Sequence, residues 1–194
     1  MIVVAACGGG KTAPLSPTPT PPPGSPGLAC GVERWFVKTL ADDVATQVNS
    51  TNVSPISIRD LNGFQAHCSG LPDRRTYAEE FRVFEVLGRI VFAAHEDDRD
   101  YHIALEDPDA PGFTIVTELA DTQCQGAVLS PHLTTMMGAE NMFLMLLGGR
   151  TPSALVGTTV RIRGVGFYDF DHGQRGRSRN CIELHPILSL EAMR

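Results

Sequence analysis

Residues 81–119 read FRVFEVLGRIVFAAHEDDRDYHIALEDPDAPGFTIVTEL, and this stretch predicts three consecutive β-strands. The first, residues 81–94, is rich in Phe, Val and Ile and contains Gly88, a pattern typical of a long strand that bends at a glycine. The second, residues 101–105, alternates in the manner of a strand with one buried face. The third, residues 113–119, follows a turn-forming segment rich in Asp and Pro. Together they predict a meander.

A helix is predicted over residues 131–147, because the apolar residues there recur at helical spacing. Ser130 is the candidate N-cap before Pro131, and Gly148 with Gly149 marks the end. We expect the apolar stripe to pack against the core, and the alternative is that its methionines line an adaptable binding groove. The stripe comprises Leu133, Met136, Met137, Met142, Phe143, Leu146 and Leu147.

Two further strands are predicted after the helix, over residues 158–170 and 181–190. The order strand, strand, strand, helix, strand, strand is that of an OB-fold, a small five-stranded Greek-key barrel. We therefore predict a mainly β, OB-fold-like barrel whose helix covers one open end. Residues 33–40 predict another strand, and the segment before Arg82 is expected to pack on the barrel as an N-terminal extension. Residues 30–194 thus predict one domain, long enough for a core.

The first residues, MIVVAAC at 1–7, resemble the end of a bacterial lipoprotein signal, because small residues precede Cys7. Residues 1–6 lack the basic residues and the length of a complete signal, so residues 1–7 predict a truncated one with Cys7 as the lipid attachment site. The alternative is a disordered tail with a stray thiol. Residues 8–29 are rich in proline and predict a disordered, extended linker. The expected location is the extracytoplasmic cell envelope, with the lipid as the membrane contact.

The remaining four cysteines are Cys30, Cys68, Cys124 and Cys181. Their wide spacing does not fit a zinc cluster, and an even number in an exported chain predicts two disulfides. The sequence allows three pairings. We favour Cys68 with Cys124 and Cys30 with Cys181, because the second bond would tie the start of the domain to its last strand.

The chain has a net charge of −6 and a pI near 5.4, which disfavours non-specific binding to nucleic acid or to anionic membranes. The charges are distributed unevenly, with an acidic turn at residues 96–100 and an arginine-rich segment at residues 161–179. Solvated faces and loops explain most such runs. A transmembrane helix is not expected, since no stretch approaches 18 apolar residues.

The densest polar segment spans residues 164–186. If Ile182 and Leu184 face the barrel interior, strand alternation puts Glu183 and His185 together on the opposite face. The preceding loop could fold over that pair. The candidate ligand-binding residues are His102, His172, Gln174, Arg175, Asn180, Glu183 and His185.

Four segments resemble a family of bacterial extracytoplasmic, lipoprotein-like proteins. They are a Gly-Phe-x-Asp-Phe-x-His-Gly-Gln motif at residues 166–174, an Asn-x-Ile-Glu-Leu-His-Pro motif at 180–186, Asp-Tyr-His at 100–102 and Glu-Arg-x-x-Val-Lys-Thr at 33–39. The resemblance spans nearly the whole domain. It implies an extracytoplasmic location and no particular reaction.

Several roles are compatible with the polar cluster. Hydrogen bonds could lock the long loop against the barrel. Histidine and glutamate from adjacent strands could bind zinc, and His102 or His172 could act as a general base in a nuclease or phosphodiesterase that uses His172, Glu183 and His185. We favour a monomeric, non-enzymatic binding module without metal or cofactor. Its ligand would be an oligosaccharide, a protein or single-stranded nucleic acid.

Overall fold

The computed structural model describes residues 30–31 and 33–193. Two predictions lie outside the described residues: the signal at residues 1–7, with Cys7, and the linker at residues 8–29. The strands are β1 Val53–Pro55, β2 Val83–His95, β3 Tyr101–Glu106, β4 Thr114–Leu119, β5 Thr159–Tyr168 and β6 Ile182–Ala192. The α-helices are α1 Trp35–Lys38, α2 Ile58–Leu61, α3 Gln125–Leu129 and α4 Leu133–Leu147. Single 3₁₀ turns occupy Ala45–Gln47, Ala78–Phe81 and Pro152–Leu155.

The sheet closes into a five-stranded barrel, with β1 as one extra strand. The sheet order is β1-β2-β3-β4-β6-β5, and β2 also pairs with β5. β2 can join both neighbours because it changes partner at Arg89: residues 83–89 pair with β5 and residues 89–95 with β3. Gly88 sits at this change, where an added Cβ would lie 2.8 Å from the Cβ of Leu105. The predicted mainly β, OB-fold-like barrel is confirmed.

Helix α4 packs on the barrel with a narrower apolar face than predicted. Met136, Phe143 and Leu147 are buried, whereas Met137 and Met142 are about half exposed. The helix begins at Leu133 with His132 at its N-cap position, two residues after the predicted N-cap Ser130. The Ser130 hydroxyl oxygen still accepts a hydrogen bond from the N–H of His132, just before the helix. Within residues 30–31 and 33–193, no helix has both the length and the apolar character needed to cross a bilayer.

The N-terminal extension packs on the outside of the barrel, as predicted, but residues 33–40 do not form the predicted strand. They contain the single turn α1, between Arg34 and Leu40, both of which have positive φ values. Trp35 and Val37 are both buried, and this two-residue spacing imitates a strand because one helical turn is too short to show its own period. Beneath the extension lies a second, smaller apolar cluster, formed by Leu40, Ala45, Val48, Val83, Ala120, Ala127, Met136, Val165 and Leu188.

Two disulfides tie this extension to the barrel, and the favoured pairing was wrong. Cys30 pairs with Cys124, and Cys68 pairs with Cys181. Cys124 is the N-cap residue of α3, and α1 packs against α3 close to it. Trp35 of α1 lies so near Gly126 of α3 that a Cβ added to this glycine would be 2.5 Å from the indole nitrogen. This packing brings Cys30 to Cys124. The sequence contains no signal for this contact. The two bonds indicate an oxidising, extracytoplasmic environment.

A buried ion pair fixes the extension from within. The Arg34 guanidinium lies 2.7 Å from Glu80, and both side chains are nearly inaccessible to solvent. Arg34 also donates to the carbonyl oxygens of Pro72 and Tyr168. Glu80 in turn accepts hydrogen bonds from the N–H groups of Thr76, Tyr77 and Tyr168. One arginine therefore joins the start of the extension to its end and to β5.

We predict that Arg34→Met lowers the free energy of unfolding by about 3–5 kcal/mol, because it leaves the buried Glu80 carboxylate without its counter-charge. The measurement is urea denaturation. The matched control is Arg74→Met, which removes an exposed ion pair to Asp43 and should cost less than about 1 kcal/mol. Equal losses in the two variants would show that Arg34 does not anchor the extension.

Candidate functional site

The site begins with strand alternation on the outer face of the barrel. Ile182 and Leu184 belong to the main core, which confirms that Glu183 and His185 point the other way. On β3 and β4 the same face carries His102 and Glu118, which are direct cross-strand partners. Three neighbouring strands thus place two histidines and two glutamates on one surface, and the extension covers that surface.

Glu118 is the centre of a buried chain of contacts. Its Oε1 lies 3.0 Å from Nδ1 of His102, and its Oε2 lies 3.4 Å from Nδ1 of His185. The other nitrogen of His185, Nε2, lies 3.3 Å from Oδ2 of Asp100. Neither nitrogen of His185 makes a hydrogen bond of normal geometry among the described residues. Two imidazoles and two carboxylates therefore share a space with almost no solvent.

The extension contributes a positive charge through Lys38 of α1. The Lys38 ammonium lies 3.2 Å from Oδ2 of Asp169, which follows β5, and both side chains are largely buried. The Phe167 ring separates the extension from the array, with its centroid 5.7 Å from that of His185 and 4.8 Å from the Arg34 guanidinium carbon. The extension thus supplies the cation, and Phe167 of β5 packs between the extension and His185.

A pocket of about 520 Å³ opens over this array. Six of its lining side chains are carboxylates, and Lys38 is the one lysine or arginine among the described residues that line it. Glu118, Lys38 and Asp169 connect the pocket to the buried array, and the acidic turn forms one wall. The lining comprises Cys30, Gly31, Glu33, Lys38, Glu96, Asp97, Asp98, Glu118, Asp169, His172 and Gln174.

The buried charges divide into ionised and neutral groups. Burial alone would raise the pKa of Glu118, but the hydrogen bond from His102 and the nearby positive charges lower that pKa to about 2. Burial likewise opposes the charge on Lys38, yet Glu118 and Asp169 hold the pKa of Lys38 above its ordinary value. Glu118 and Lys38 are therefore both charged at neutral pH.

Glu183 is the neutral member of the array. It is buried, and neither carboxylate oxygen has a hydrogen-bond partner within residues 30–31 and 33–193. Burial, followed by repulsion from Glu118 and Asp169, raises its pKa well above 4.5. Two glutamates on adjacent strands thus have pKa values displaced in opposite directions.

The loop between β5 and β6 places His172 and Gln174 at the pocket. Nε2 of His172 lies 2.7 Å from Oε2 of Glu33, and both side chains are about half exposed. The Gln174 side chain accepts from the His172 N–H and donates to the Phe170 carbonyl oxygen, so it shapes the loop. The structure therefore puts His172 at the rim and leaves Glu183 and His185 beneath the cover.

Asn180 and Arg175, two other predicted residues, hold the loop between β5 and β6 through different contacts. The Asn180 side chain is buried and donates to the carbonyl oxygens of Leu61 and Phe64, so it fastens the extension to the start of β6. The guanidinium of Arg175 stacks 4.9 Å above the Phe92 ring, and its backbone carbonyl lies 2.9 Å from Nε2 of His102. Of the candidate residues, His172 and Gln174 line the pocket, whereas His102, Glu183 and His185 form the buried array behind it.

Sequence reasoning did not select Glu118, Lys38 or Glu96 as site residues. Glu118 becomes central because β4 pairs in parallel with β6, with Val116 opposite Glu183. No local sequence pattern indicates that β4 and β6 are neighbours. Lys38 and Glu33 do belong to one of the four quoted segments, and polar residues from all four segments meet at the pocket and the array. Their convergence is the signal that could have identified the site.

Comparison of the chain with protein-family models and with curated proteins finds no match.

We predict that Glu183→Gln makes the stability of the protein less dependent on pH. Above pH 4.5 the unfolded chain releases the Glu183 proton and the folded protein keeps it, so the free energy of unfolding falls by up to about 1.4 kcal/mol per pH unit as pH rises towards the folded pKa. Glutamine removes this contribution. Denaturant titrations between pH 5 and pH 8 measure it, and the difference between variant and wild type should grow in favour of the variant.

Glu191→Gln is the control, because Glu191 lies on the same strand with an exposed side chain. It should leave the pH dependence unchanged. Parallel pH profiles for wild type and Glu183→Gln would contradict a protonated Glu183.

Proposed function

We propose that this chain is an extracytoplasmic binding module, built on an OB-fold-like barrel, that binds a positively charged group of its ligand in the acidic pocket. The observation that supports this proposal is the lining of the pocket: six carboxylates stand against one lysine, and that lysine is already paired with Asp169. A cleft lined by one sign of charge concentrates ligands of the opposite sign.

The charge of the pocket discriminates among the ligand classes considered from the sequence. Single-stranded nucleic acid would bring phosphates towards Glu33, Asp97 and Asp98, and like charges repel. A protonated amine fits the same walls. It can be a lysine side chain of a partner protein or an amino sugar of an oligosaccharide, and both present the same ammonium group to the carboxylates.

A binding function accounts for the site better than the nuclease or phosphodiesterase that would use His172, Glu183 and His185. Glu183 and His185 are buried beneath the extension, and the nearest charged partner of His172 at the rim is Glu33. A general base must reach the proton that it removes. The proposed module therefore relies on shape and charge rather than on proton transfer.

We further propose that the chain belongs to the lipoprotein-like family that its four segments resemble, and that Cys7 carries a lipid. The two disulfides support an oxidising location. Cys30 follows the predicted linker directly and lines the pocket. The tether would thus lead from the membrane to the edge of the ligand site.

The test is isothermal titration of the chelator-treated protein with trilysine, chitosan trimer, chitin trimer, triglutamate and a single-stranded oligonucleotide. Trilysine and chitosan trimer should bind, with affinity that falls as salt increases. The double variant Glu33→Gln, Asp97→Asn should weaken this binding about five- to tenfold, as expected for two exposed charge pairs.

Asp109→Asn is the matched control, because Asp109 is an exposed carboxylate that does not line the pocket. It should change the affinity less than twofold. Chitosan binding without trilysine binding would identify the oligosaccharide as the ligand class. Binding of triglutamate or oligonucleotide as tight as that of trilysine would contradict the proposal.

A further inference from the structure

The hydrogen bonds of His102 fix which of its nitrogens carries a proton. Nε2 lies 2.9 Å from the carbonyl oxygen of Arg175, which can only accept, so Nε2 is protonated. Nδ1 lies 3.0 Å from Oε1 of Glu118 and 3.6 Å from Oε1 of Glu96. Nδ1 therefore faces two carboxylates, and in the metal-free protein it donates a proton to Oε1 of Glu118. A divalent metal ion can take the place of that proton, because a histidine binds a metal through its unprotonated nitrogen.

The spacing of these acceptors suits a metal ion. The ligand atoms of Glu96, His102 and Glu118 all lie within 4.8 Å of one another. Two ligands of a tetrahedral zinc ion, each bonded at about 2.0–2.1 Å, stand about 3.3–3.4 Å apart. The two distances from Nδ1, 3.0 and 3.6 Å, lie on either side of that value. A shift of a few tenths of an ångström would bring both distances to that value.

The cluster is accessible from the pocket. Glu96 is 43% exposed, and both Glu96 and Glu118 line the pocket, whereas His102 is buried behind it. An ion can thus enter from solvent and keep one coordination position open towards the pocket.

The surroundings have the features of a metal ligand's outer shell. Metal-binding histidines usually donate their second nitrogen to a carbonyl or carboxylate, as His102 does to Arg175. Gly176 permits this contact, because its φ is +85° and an added Cβ would lie 2.2 Å from the Cβ of Ala104. The second oxygen of Glu118 is held near His185, which Asp100 backs in turn.

We propose that Glu96, His102 and Glu118 form a binding site for a divalent transition-metal ion, zinc above all, on the wall of the acidic pocket. An imidazole with two carboxylates suits zinc, whereas calcium and magnesium prefer oxygen ligands alone. The metal site shares the pocket with the proposed amine site, but its ligands are Glu96, His102 and Glu118, whereas the amine titration tests Glu33 and Asp97. The sequence analysis predicted no metal. It named His102 as a candidate residue but neither Glu96 nor Glu118, so the three ligands were not recognised as one group.

The experiment is calorimetric titration of the chelator-treated full chain with ZnCl₂, repeated with CaCl₂. One zinc ion per chain should bind, at least tenfold more tightly than calcium. Glu96→Gln should weaken zinc binding at least tenfold and, being partly exposed, should leave the fold intact. His102→Gln should weaken it more than about a hundredfold, since it removes the nitrogen ligand, whereas loss of an outer-shell partner alone costs 10- to 100-fold.

Asp97→Asn is the matched control, because it removes one charge from the same pocket without removing a ligand, and it should weaken zinc binding less than threefold. A second readout is ¹⁵N NMR of the His102 ring: zinc should shift Nδ1 while Nε2 keeps its proton. Equal effects of Asp97→Asn and Glu96→Gln, equal affinity for calcium, or an unmoved Nδ1 would overturn the proposal. Trilysine binding in chelator would be unaffected by that failure.

Discussion

The buried carboxylate of Glu118 is the group on which the arrangement of the site depends. It touches His102 with one oxygen and lies near His185 with the other, and it lines the pocket. A charge in so enclosed a position needs compensation, and His102 with Lys38 supplies it. Burial, followed by repulsion from Glu118 and Asp169, raises the pKa of Glu183 on the adjacent strand.

The extension supplies Lys38 to this array, and the ion pair of Lys38 with Asp169 helps to hold the extension on the barrel. Without α1 the outer face of β3, β4 and β6 would be a wet polar surface, and Lys38 would be missing. The cover is held by the Arg34–Glu80 pair, by both disulfides and by its own apolar cluster. This redundancy explains how a segment with little regular structure keeps several ionisable groups from solvent. The extension also shapes the pocket, because Cys30, Glu33 and Lys38 are among its lining residues.

The barrel could be predicted from the sequence because its strands carry period-two patterns and a bend glycine, and α4 carries a helical one. The alternation that puts Glu183 opposite Leu184 follows from the same rule. Prediction failed where long-range contacts decide: α1 is too short to show a period, and the cysteine pairing depends on Trp35 packing against α3. Glu118 escaped notice because its importance comes from the parallel pairing of β4 with β6.

The central claim is that two neighbouring glutamates occupy opposite charge states, and carboxyl ¹³C NMR titration of the chelator-treated protein measures this directly. The account predicts that Glu118 ionises far below its ordinary pKa of 4.5 and that Glu183 ionises well above it. If both carboxyl groups ionised together between about pH 4 and 5, as free glutamates do, the buried array would not exist as described.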